Sequence, residues 1–146
     1  MEQSRKELKI TSIAVLVYAA FSLLSVLVEV FYGEINSVEI PAGSPENVLL
    51  ITKIILVSVS ALFFLPELYV GFKGLKEAKE PDSSHAHIIW ATIIFLFAVI
   101  ALISPLKGIF IGDSVKQNWK SIASIAVDIA LYANYIRVAK AVSDGV

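Results

Sequence analysis

Residues 121–140 read SIASIAVDIALYANYIRVAK, a run apolar enough to lie in lipid that carries a carboxylate, Asp128, near its middle. A charge at that depth costs roughly 2.5–3.5 kcal/mol on insertion scales, so Asp128 must face protein or water, or stay protonated. Ser121, Ser124, Asp128, Tyr132 and Tyr135 follow one another in steps of three, four, four and three, which puts them on one face of a helix. The run therefore predicts a membrane-spanning helix whose polar face looks into a protein interior.

The rest of the chain fits that setting. Its 146 residues are 57% hydrophobic and 17% charged, against about 45–50% and 25% in an ordinary soluble domain. At about 20 residues per crossing, this length accommodates four helices with short connections. The expected fold is all-α: one domain, an integral membrane bundle of four antiparallel helices at about residues 10–32, 46–72, 85–106 and 120–141. A net charge of −1 with no basic stripe argues against a nucleic-acid partner. The absence of cysteine excludes disulfides, thiolate metal sites and cysteine nucleophiles.

Arg5, Lys6 and Lys9 precede the first apolar run, Ile10 to Tyr32, which is about twice a signal-peptide core and has no A-x-A-like site after it. It reads as an uncleaved first helix. Thr11, Tyr18, Ser22, Ser25, Glu29 and Tyr32 form one polar stripe along it. In the second helix Lys53, Ser60, Glu67 and Gly74 recur every seven residues, with Gly71 beside them; Ser44, Pro45 and Glu46 supply start signals, and Pro66 is expected to kink it. Lys73 to Glu80 reads as a helical extension beyond the lipid, and Asp82, Ser83 and Ser84 as caps for the third helix. The third helix carries a small-residue face, Ala91, Ala98, Ala101, Pro105 and Gly108, suited to close packing.

Lysines and arginines set the expected orientation. Arg5, Lys6, Lys9, Lys73, Lys76, Lys79, Arg137 and Lys140 fall on one side, against Lys107, Lys116, Lys120 and the more deeply placed Lys53 on the other. The excess places both termini in the cytoplasm of a cell or inner membrane.

Four ionisable groups then lie within the lipid. Glu29 and Lys53 fall at matching depth on consecutive helices and are expected to form a buried ion pair. Glu67 lies toward the termini, near Asn134, Tyr135 and Arg137. Asp128 sits near the midplane, level with Ser22 and Ser60, without a basic partner. Ion or substrate binding is accordingly expected at Asp128, Glu67, Tyr132, Tyr135, Ser60 and Ser22. The bland alternative treats the same groups as interhelical glue, with Asp128 protonated. Arg137, nine residues from Asp128, reads as a snorkelling anchor. His85 and His87 diverge by about 200° around a helix and make no metal site with i,i+4 geometry. Trp90 and Trp119 read as interfacial belt residues. No catalytic motif, cofactor site or metal site is expected, and the chain reads as non-enzymatic.

In length and helix count the chain is similar to the small multidrug resistance transporters, whose proton-coupled glutamate lies mid-depth in the first helix. Glu29 instead lies near the outer end of its helix, and the lysine asymmetry fixes a single orientation. The likeness stops at length, and no family is assigned. The expected function is handling of a small solute or cation in the bilayer, as a homo-oligomer or within a larger membrane complex. The rival is an accessory protein that binds another membrane protein through its helices.

Overall fold

A computed structural model describes residues 1–37, 39–81, 85–111 and 115–146. They form α1 (Glu2–Tyr32), a short 3-10 turn (Glu34–Ser37), α2 (Val48–Lys79), α3 (Ala86–Ile111) and α4 (Val115–Ser143). All four long helices are long and apolar enough to cross a membrane. At ~1.5 Å per residue, the 31 residues of α1 span ~46 Å, well beyond a ~30 Å hydrocarbon core.

Each helix packs on its chain neighbours, and α1 also packs on α4, which closes the bundle. Its outer surface is apolar, unlike that of a soluble protein. Along α1, Ile10, Ile13, Val17, Phe21, Leu24, Val28 and Phe31 form an exposed stripe, whereas Thr11 and Ser12 are buried. In a bilayer nothing would drive apolar side chains inward, and polar groups would gain by facing one another.

Burial is concentrated at one end. Leu8, Ser12, Val15, Val70, His87, Tyr132, Tyr135 and Val138 are the largest side chains fully enclosed. Arg5 holds this end by donating from Nε to the Ala78 carbonyl (2.9 Å) and from a terminal nitrogen to that of Lys79, so the start of α1 satisfies the final carbonyls of α2. Asn134 donates to the Thr11 hydroxyl (3.1 Å), and Arg137 reaches Asn134 Oδ1 (2.9 Å) and the Glu7 carboxylate (3.5 Å), joining α4 to α1. Arg137 thus serves as a surface tie. Glycines make the close approach possible: a Cβ on Gly71 would strike Leu16, and one on Gly74 would strike Ser12 Oγ and the Tyr135 hydroxyl.

Several boundaries differ from those expected. The first helix begins at Glu2, where Lys6 pairs with Glu2 at 3.2 Å, so the polar N-terminal segment joins the helix. The second begins at Val48; the Val48 amide bonds the Pro45 carbonyl (3.1 Å), so Ser44 to Glu46 shape a turn ahead of the helix rather than its first turn. It runs through the Lys73–Lys79 extension without a break. The third continues past Pro105 to Ile111, and the fourth starts before Trp119. The expected caps Asp82, Ser83 and Ser84 lie outside the described residues.

Candidate functional site

The polar stripes of α1, α2 and α4 meet at mid-bundle around a cavity of about 220 Å³. Ser22 of α1, Ser60 and Glu67 of α2, and Asp128 of α4 line it, with Ala19, Leu23, Val26, Val59, Phe63 and Phe64 supplying apolar wall. Ser60 is a full two turns before Glu67, and the intervening Phe63 and Phe64 cover the gap between them. Phe63 also meets Phe97 of α3 edge to face, with centroids 6.0 Å apart, which ties the α2 wall to α3.

Each carboxyl has a tyrosine from another helix beside it. Tyr132, 1% exposed, lies beside Glu67. The Tyr18 hydroxyl donates to the Ser124 carbonyl (3.2 Å) and lies near the Asp128 carboxyl. Glu67 and Asp128 are close enough to act on one another electrostatically. Two ionised carboxylates facing one cavity repel each other, and a cation or proton between them relieves that repulsion. The described lining contains no lysine or arginine to do so.

Four of the six expected binding residues, Ser22, Ser60, Glu67 and Asp128, therefore share one cavity, and Tyr132 lies beside one of its carboxyls. Tyr135 sits deeper toward the termini, in a separate buried layer. Its hydroxyl donates to the Val70 carbonyl and meets His87 Nδ1, both at 2.8 Å.

Glu67, expected on the half toward the termini near Asn134, Tyr135 and Arg137, faces the same cavity as Asp128. The Glu29–Lys53 pair is not among the ion pairs of the described residues. Lys53 Nζ donates to Asn36 Oδ1, and the Glu29 carboxyl folds over Gly33. The 3-10 turn brings Asn36 to Lys53, while Glu29 lies on the exposed face of α1. This exposure is the reason that no buried pair forms.

Sequence reasoning did not place Tyr18 in the site, although it stands four residues before Ser22 on the same stripe. It also read His85 and His87 alike. His85 does lie at the surface, bonded to Ser143 Oγ (2.9 Å), but His87 is 2% exposed. Glu77, assigned to an extension beyond the lipid, is 3% exposed. Its three-residue step from Gly74 was the available signal, since it continues the face that packs inward.

The chain matches no family model, no curated protein and no solved structure.

Proposed function

We propose that this chain is a non-enzymatic, multi-pass membrane protein that binds a small cation, or a proton-linked solute, between Glu67 and Asp128. In this reading its helices run alternately up and down, with both termini cytoplasmic, as the lysine and arginine count requires. The observation that carries it is the convergence of two carboxylates and two serines from three helices on one cavity without a basic residue. Ionisable groups within a bilayer are costly and are kept for binding or transfer. The cavity is larger than a bare ion needs, with room for several waters or for a compact organic cation. The larger buried side chains lie on the side of the termini, so the reading gives the cavity access from the opposite side.

The test is thermal unfolding in mild detergent with sodium, potassium or tetramethylammonium chloride at constant ionic strength. One cation should raise Tm by several degrees when near saturation, equivalent to about 2.7 kcal/mol at 100 times Kd. Asp128→Asn and Glu67→Gln should fold but lose that increase. An equal increase in the parent and both variants would refute the assignment.

One observation favours the accessory reading. Glu29 and Ser25 are exposed on α1, in the half of the bundle away from the termini. A carboxylate on the outer face gains from a complementary helix, whether of a second copy or of another protein. Cross-linking from Glu29→Cys to a second protein, with no cation effect on Tm, would support that role over binding.

A further inference from the structure

The buried polar and charged residues of the described chain, Thr11, Ser12, Glu77 and His87, all lie on the termini side of the cavity. A layer there takes one contribution from every helix: Ser12 from α1, Gly74 from α2, His87 from α3 and Tyr135 from α4. A static seal at this depth would be built more cheaply from apolar side chains, because buried polar groups cost free energy unless they are fully bonded.

The Tyr135 hydroxyl has one hydrogen, and the Val70 carbonyl can only accept, so that hydrogen goes to α2. The oxygen is then left to accept from His87, whose Nδ1 must carry its hydrogen. One oxygen thus joins α4 to both α2 and α3. Against the same point, Gly74 brings the α2 backbone onto Ser12 Oγ and the Tyr135 hydroxyl with no side chain between. Were α4 to move away, both bonds would open together. The hydroxyls, the imidazole and the nearby Glu77 carboxyl could then be hydrated, so water would replace much of what is lost. A leucine or phenylalanine plug offers no such exchange.

We propose that the Ser12–Gly74–His87–Tyr135 layer is a gate between the carboxylate cavity and the side of the termini, with the Tyr135 hydroxyl as its latch. This rests on the reading of the cavity as a binding site, to which it adds a second mouth. With the gate shut, the layer stands between the cavity and the side of the termini; with it open, an occupant leaves to that side.

The chain has no cysteine, so Ser12→Cys introduces a single thiol. Ser12 is fully buried in the shut layer. In oriented proteoliposomes, a membrane-impermeant maleimide applied on the side of the termini should label Ser12→Cys slowly. Adding Tyr135→Phe should raise the rate at least tenfold, and adding His87→Gln, which removes one bond only, by a smaller factor. The proposal is overturned if Ser12→Cys stays unlabelled in every background, or if both added substitutions leave its rate unchanged in monodisperse protein. If Tyr135→Phe does not yield monodisperse protein, His87→Gln alone decides by the same comparison. Failure of the cation test leaves this result intact, since labelling needs no ligand. A cation effect without gate opening would leave a binding site with one mouth.

Discussion

Around Tyr135, side chains of all four helices are enclosed, Tyr135 bonds both His87 and the α2 backbone, and two glycines let that backbone lie directly on α1 and α4. Around Lys53, at the other end, Val30 and Pro105 are the buried residues among those described, and a lysine is tied to Asn36 in the connecting turn. The carboxylate cavity lies where these two regimes meet. The difference teaches that polar residues of similar type do different work according to the space around them. Close packing makes Tyr135 a structural link between helices, whereas looser packing leaves a cavity beside Asp128 and Glu67, the proposed binding site.

The contrast can be broken most severely at Gly74. Gly74→Leu should cost at least ~3 kcal/mol, because the new side chain meets Ser12 and Tyr135 and the neighbouring helices cannot yield. Chemical denaturation in detergent measures this, and a neutral result would mean that the helices are not in close contact. Tyr135→Phe comes next, at ~2 kcal/mol, since it leaves a buried imidazole N–H without its acceptor. Asn134→Ala, which removes the tie to Thr11, should cost about 1 kcal/mol. At the looser end, Asn36→Ala should cost less than ~0.5 kcal/mol, as for an exposed polar contact. The smallest effect is a coupling. A double-mutant cycle of Glu29→Gln with Lys53→Gln should be additive to within ~0.3–0.5 kcal/mol, because the two side chains engage other groups. A larger coupling would restore the ion pair.

The helices were legible in the sequence because hydropathy and length govern membrane insertion directly, and the seven-residue recurrence from Lys53 to Gly74 identified the inward face of α2. Boundaries were less legible, since they depend on turn geometry at Pro45 and on polar ends that stay helical outside lipid. The convergence of Ser22, Ser60 and Asp128 followed from depth alone. Glu67 belongs to the same cavity although it lies two turns from Ser60, because depth along a helix ignores how far a side chain reaches toward its neighbours. The pairing of Lys53 with Asn36 was beyond a count of charges, since it depends on how the connection folds back. His87 was missed for a related reason. Two histidines at a helix start look alike in sequence, and only the position of Tyr135 on α4 separates the buried one from the exposed one.

As proposed, the cavity at Glu67 and Asp128 is hydrated, shut toward the termini and takes a cation. Labelling of Ser60→Cys, the only thiol in that variant, by an impermeant maleimide in oriented proteoliposomes addresses all three points together. Reaction from the side opposite the termini, slowed by the cation that stabilises the protein and no longer slowed after Asp128→Asn, is the predicted result. Reaction from the side of the termini alone, or at a rate that no cation changes, would contradict it.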